Sequence, residues 1–217
     1  MDLMKTALVL LLITAFGGGA AVAQRQSDPN ITMKGSGKLP AGWQMRLDDP
    51  RGKPEAVSFM MMNGGPHVMT GPAAIFYKPD MTKSGTYEVS ATFTQMAPAP
   101  HPEAYGLFIG GSDLQGPNQK YTYFMIQQDG TFLLKRRAGA ATPVIQDWKA
   151  NGAVKKTEGK TQGVNTLTVS VAPDKVRFLI NGTEVGTASP SQVDASGIVG
   201  LRINHNLNVH VASFDVK

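Results

Sequence analysis

The chain has 217 residues, 41% of them hydrophobic, which is enough to bury one sizeable core in a single domain. It has no cysteine, which excludes disulfides, thiol nucleophiles and thiolate-bound zinc. The formal charge of +5 is modest, and its basic residues are scattered apart from Lys135-Arg136-Arg137 and Lys155-Lys156. No basic stripe marks a nucleic-acid partner.

In chain order, the first segment is a targeting signal. Lys5 supplies the positive start, Ala7 to Phe16 the apolar core, and Ala21-Val22-Ala23 the small-x-small cleavage site. The apolar core is too short for a bilayer that takes ~20 residues to cross, and no second such segment follows. No stable membrane insertion is expected. No cysteine follows the core to carry a lipid. Residues 1–23 therefore read as a cleaved signal peptide of a bacterial, periplasmic or secreted protein. Gln24 to Lys38 is polar, ends in Gly-rich sequence and reads as a flexible leader. A single domain is expected over 39–217.

Trp43 is expected to anchor the first strand, Gly42–Asp48. Strands should follow at Ala56–Met62, Ala73–Lys78, Thr86–Met96, Ala104–Gly111, Lys120–Gln128 and Thr131–Arg137. After a long connection from Gly139 to Gly163, with Trp148 as its anchor, come Val164–Ala172, Lys175–Ile180, Thr183–Ala188, Ile198–Asn204 and Asn208–Val216. The Pro-rich APAPHP (Ala97 to Pro102) lacks donors for a central strand and must be a loop. Asp129-Gly130 and Asn181-Gly182, each between apolar runs, predict type I′ hairpin turns, because both central residues there need φ > 0. In YEVSATFT, Tyr87, Val89, Ala91 and Phe93 share one face. In NTLTVSV, Leu167, Val169 and Val171 do the same. One buried and one wet face per strand predicts an all-β fold, a two-sheet antiparallel sandwich.

The order GWQMR, SGTYEVSATFTQM, YGLFIGG, YTYFMIQQDGTFLLKRR, VNTLTVSVAPDKVRFLINGTEVG and GIVGLRINHNLNVHVASFDV resembles the concanavalin A-like jelly roll. The likeness is to its laminin-G-like and 3-keto-disaccharide-hydrolase-like bacterial branch, and it covers Trp43 to Val216. It implies a glycan-associated fold. The Asn-Ser-Gly motif often found on a central strand of that hydrolase branch is replaced here by Ala104-Tyr105-Gly106. The Glu-x-Asp-x-x-Glu strand of laminarinase-type glucanases and the galectin sugar-binding pattern have no counterpart.

A face, rather than a motif, is the candidate site. Phe124 and Ile126 fall on one side of KYTYFMIQQ, and Tyr121, Tyr123 and Gln127 on the other. If the Asp-Gly turn keeps a two-residue register, Phe132 and Leu134 take the core side, with Lys135 and Arg137 beside the tyrosines. Val199, Leu201 and Ile203 read as buried, which turns Arg202 and Asn204 outward. Aromatic rings stack on sugar C–H faces and polar groups fix hydroxyls, so this face, with His205 in a strand-end turn, suits a glycan. A solvated face with cross-strand Tyr–Lys pairs is the plainer alternative. For catalysis the candidates are Glu103, Glu88 and His101. Two carboxyl groups flanking a glycosidic bond would be needed. His101 with Glu103, or His205 with His210, could form an acid/base pair or part of a metal site. No HExxH or tight His-x-His spacing supports a metal, so none is expected. No cofactor is expected either. A loop calcium is known in such folds, but no Asp-rich loop announces one. Met60-Met61-Met62 alternate in direction and cannot converge on one ion, so they read as core filling. The leading expectation is a lectin-like glycan-binding module. A sugar hydrolase and a non-catalytic envelope scaffold are the alternatives, and nothing in the sequence specifies an oligomeric state.

Overall fold

Alternating apolar and polar residues carry the chain into fourteen strands of a computed structural model, which describes residues 34–217. The signal segment and most of the leader lie outside the described residues. In chain order the strands are β1 (Gln44–Leu47), β2 (Val57–Met62), β3 (Gly65–Thr70), β4 (Ala74–Lys83), β5 (Tyr87–Gln95), β6 (Ala104–Ser112) and β7 (Lys120–Gln127). They continue with β8 (Thr131–Ala138), β9 (Val144–Ala150), β10 (Val164–Val171), β11 (Val176–Ile180), β12 (Thr183–Ala188), β13 (Gly197–Ile203) and β14 (Asn208–Val216). A front sheet runs β1-β4-β13-β6-β7-β8-β9 and a back sheet β12-β11-β10-β5-β14-β3-β2. Every pairing is antiparallel. Gly35 and Gly37 donate backbone hydrogen bonds to Glu55 and Val57, so the chain is already tied to the sandwich before Leu39.

The core lies between the sheets. Val89, Ala91 and Phe93 on β5 and Leu167, Val169 and Val171 on β10 face inward as the alternation requires. Trp43 is buried against Phe59, with ring centroids 4.9 Å apart. Phe124 of the front sheet meets Phe178 of the back sheet edge-on at 5.4 Å, joining the layers directly.

Three expectations need correction here. The Asp129-Gly130 hairpin is not a two-residue type I′ turn. Gly130 has φ +96 while Asp129 is not in the left-handed region, and Ile126 pairs with Phe132, leaving Gln128, Asp129 and Gly130 as a three-residue loop. Phe132 does take the core side, but not through the two-residue register expected for it, which would have set it opposite Gln127 and turned it outward. The extra residue puts it opposite Ile126 in the core, with Lys135 opposite Tyr123 and Arg137 opposite Tyr121. Second, Met60 and Met61 are 43% and 50% exposed, not core filling. They lie on edge strand β2 near its turn, where a residue has a neighbouring strand on one side only. Third, the connection from Gly139 to Gly163 contains β9, and Trp148 on that strand is 38% exposed. It anchors nothing in the core.

Asn181-Gly182 forms the expected turn, with φ +51 and +80 and Ile180 paired to Thr183. The Asn181 side chain also accepts the Thr166 N–H at 2.8 Å and donates to the Ala153 carbonyl and to Asn165 Oδ1. Asn165, fully buried, exchanges hydrogen bonds with the Lys155 backbone, so the pair holds the 151–163 connection against β10. Asn181→Ala is expected to lower stability by about 1–3 kcal/mol, through unpaired backbone groups and a strained left-handed residue. A urea unfolding curve with an unchanged midpoint would refute this.

Candidate functional site

On the front sheet the strand register sets out the side of the sheet away from the core. One row reads Arg202, Gly106, Met125, Leu133 across β13, β6, β7 and β8, and the next reads Gly200, Phe108, Tyr123, Lys135. Gly106 leaves a gap between Arg202 and Met125. A Cβ there would stand 2.0 Å from the Phe124 carbonyl oxygen, so no other residue fits without shifting the backbone. This face is not simply wet. Ile75, Tyr77, Phe108, Tyr121, Tyr123 and Met125 form a second apolar cluster. The 113–118 loop covers part of it: Arg46 donates to the Leu114 and Gly116 carbonyls, and Gln115 donates to the Tyr77 hydroxyl at 2.7 Å. Tyr121 and Tyr123 are 1% and 6% exposed, which departs from the expectation of outward, solvated rings.

Arg202 organises the floor of this face. Its guanidinium makes a two-pronged ion pair with Asp48 and donates to the Tyr121 hydroxyl at 2.9 Å. It also lies over the Tyr123 ring, 4.7 Å from the centroid. Burial opposes the Asp48 charge, yet the adjoining Arg202 outweighs it and holds the carboxyl below its ordinary range. Burial pushes both tyrosine hydroxyls up, so they stay protonated. Arg202 is thus a braced platform for the rings.

Beside this platform, antiparallel pairing joins two distant segments. Ile203 pairs with Tyr105, and the Asn204 N–H donates to the Ala104 carbonyl at 2.9 Å, so the register brings His205 beside Glu103. His101, two residues earlier, points the same way. Its loop is clamped by Gln128, whose amide both accepts the Ala99 N–H and donates to the Ala99 carbonyl. The Nε2 atoms of His101 and His205 each lie 2.9 Å from the same oxygen, Oε1 of Glu103. Glu103 is 6% exposed, and burial raises its carboxyl against the opposing pull of His205, an Asn204 hydrogen bond and His101. His101, Glu103 and His205 are the described residues that could hold a metal ion.

Between platform and cluster lies a cavity of about 340 Å³. Trp148, Leu133 and Lys135 form one side, Glu103, Asn204 and His205 the other, and Tyr123, Met125 and Arg202 the floor. Gln127 completes the wall, its amide reaching the Pro102 carbonyl and its oxygen accepting from Thr131.

Of the sequence-derived binding candidates, Tyr123, Gln127, Lys135, Arg202, Asn204 and His205 line this cavity. Tyr121 and Arg137 sit on the same face outside it, and Tyr121 is covered. Glu103 lines it, and His101 reaches it through Glu103. Glu88 does not: it stands on the outward face of β5 in the back sheet, opposite Ser170, so the two glutamates cannot flank one bond. His210 faces His67 across β14 and β3, with ring centroids 5.9 Å apart, whereas His205 meets Glu103. Sequence reasoning missed Trp148 as a cavity wall. Its strand, Val144–Ala150, has no buried apolar run and only Ile145 packs against the core, so the signal was weak.

No protein-family model matches the chain, and no curated protein matches it in sequence. Solved structures do match in fold. The carbohydrate-binding module CBM66 from Bacillus subtilis superposes with a TM-score of 0.57 at 10% identity, covering 81% of this chain and 95% of that one. A Bacillus subtilis protein of unknown function with a galectin-like fold gives 0.58 at 14%, covering 80% and 88%. A Bacteroides ovatus GH16 protein from a mixed-linkage glucan locus, in complex with its product, gives 0.56 at 10%, covering 81% and 94%. The chain is a concanavalin A-like β-sandwich. Within that sandwich, the cavity described above occupies the face of the front sheet turned away from the core. Among the described residues, no helix is long and apolar enough to cross a membrane.

Proposed function

We propose that this protein is an exported, lectin-like carbohydrate-binding module whose glycan sits in the front-sheet cavity. The observation that carries the reading is the composition of that cavity. An exposed indole, Trp148, stands over a floor of Tyr123 and Met125, and Gln127, Asn204 and Lys135 supply hydrogen-bonding groups around it. Ring faces take up the apolar faces of a sugar, and the amides and amine select its hydroxyls. The carbohydrate-binding neighbours of the same fold support this reading at the level of architecture. Export rests on the N-terminal signal pattern.

A glycan-array screen of the purified protein tests the proposal, with Trp148→Ala as the paired variant. Loss of a stacking ring should weaken a bound glycan by about 1 kcal/mol or more, roughly fivefold or greater. Stability should hardly change, because the indole is partly exposed and packs outside the core. An array without a hit, or a glycan whose affinity ignores Trp148, would remove the cavity from consideration.

A sugar-cleaving enzyme is the second reading, favoured by Glu103. Its carboxyl is buried at the cavity wall with a raised pKa and two imidazoles in contact, a setting suited to proton transfer. Release of shorter sugars from a bound oligosaccharide, abolished by Glu103→Gln, would favour this reading over simple binding.

A further inference from the structure

We propose that His101, Glu103 and His205 form a binding site for one divalent first-row transition-metal cation, of the zinc type, at the rim of the cavity. The inference rests on side-chain geometry and not on the sugar reading, so either can fail alone.

The three ligand atoms lie within 4.8 Å of one another, and both imidazole Nε2 atoms face a single carboxylate oxygen at 2.9 Å. Ligands held ~2.1 Å from a common cation stand roughly 3.0–3.4 Å apart in octahedral or tetrahedral arrangements. The two nitrogen–oxygen separations therefore need to open by a few tenths of an ångström, while the two imidazole nitrogens, within 4.8 Å of each other, close toward the same ~3.0–3.4 Å. The His101 side chain is 43% exposed at the end of its loop and is the ligand free to make that adjustment, whereas the side chains of Glu103 and His205 are buried and half-buried.

Charge points the same way. A buried carboxylate is costly without a counter-charge. Among the described residues, the ion-pair partners of Glu103 are these two imidazoles, which are cationic only when protonated. Arg202 lines the same cavity but is engaged by Asp48. A divalent cation, bound through the lone pairs of the two Nε2 atoms, would supply permanent positive charge at Oε1. The donor set also selects the metal. Two nitrogens and one oxygen, with room on the cavity side for water or ligand, suit zinc and its neighbours. Calcium and magnesium take oxygen ligands. The pairing of β6 with β13 sets Glu103, just before β6, beside His205, just after β13, and the preceding loop brings in His101.

The test uses the full-length protein, purified without a histidine tag and stripped with chelator. Isothermal titration with Zn²⁺ should show one equivalent bound, while Ca²⁺ and Mg²⁺ show none. Co²⁺ should give visible d–d absorption bands. His101→Ala, His205→Ala and Glu103→Gln should each weaken zinc binding by about tenfold or more. His210→Ala, in the other histidine pair, should leave it unchanged. His101→Ala is the decisive variant, since an exposed loop side chain can be removed without unfolding the domain. Absence of zinc binding, zinc affinity indifferent to His101→Ala, or zinc affinity lost with His210→Ala would each overturn the proposal.

Discussion

Phe124→Ala is expected to destabilise the domain by about 3–5 kcal/mol, the range for removing a large buried aromatic side chain. Phe124 is 1% exposed and sits where the two sheets meet, edge-on to Phe178 at 5.4 Å and to Phe132 at 6.3 Å. The cavity left by the ring would be lined from both layers, and sheets pinned by hydrogen-bond ladders cannot collapse into it. Chemical denaturation with two-state analysis is the measurement. A loss below about 1 kcal/mol would mean that the layers repack freely. Tyr123→Ala, on the opposite face of the same strand, should also destabilise, because its ring is nearly covered and carries the Arg202 guanidinium.

That second expectation differs from what the sequence suggests, and the reason is physical. Alternation tells which residues share a face, and it does so well for β5 and β10, whose outer faces are half-exposed. It does not tell what lies on that face. Tyr121 and Tyr123 are on the side opposite Phe124, as the pattern requires, but Arg202 reaches across them from a distant part of the chain, bonding the Tyr121 hydroxyl and lying over the Tyr123 ring. The Glu103–His205 contact is of the same kind: it follows from pairing Tyr105 with Ile203, a register that no local pattern contains. Strand β3 is a different case. Asn63-Gly64 is a type I′ turn with φ +51 and +84, and its Asn-Gly signal stands in MMMNGGPHVMT. The strand after it is disguised by Gly65-Pro66 and His67, which interrupt the apolar alternation. Strand β9 is hidden by its exposure and by register shifts against β8, so it lacks the apolar run that marks a buried strand.

Arg202→Met is expected to cost about 3 kcal/mol or more, because it strips the partner from a partly buried carboxylate while leaving the tyrosines without their cover. Arg202 is 8% exposed, and its bonds to Asp48 and Tyr121 span β13, β7 and the end of β1. The loss should be mostly a penalty on the stranded Asp48. Arg202→Met combined with Asp48→Asn should therefore cost less than the two single changes added together. The pH dependence has a defined sign. The folded-state pKa of Asp48 is depressed, so the stability it contributes is fully present above its unfolded value of ~3.9 and is lost as pH falls through the lower folded value. The stability gap between the native protein and Asp48→Asn should accordingly be widest near neutral pH and close in acid. A gap constant from pH 7 down to pH 2, or single and double variants whose costs simply add, would show that Arg202 and Asp48 do not act as a pair. The platform beneath the cavity would then rest on packing of the tyrosine rings alone.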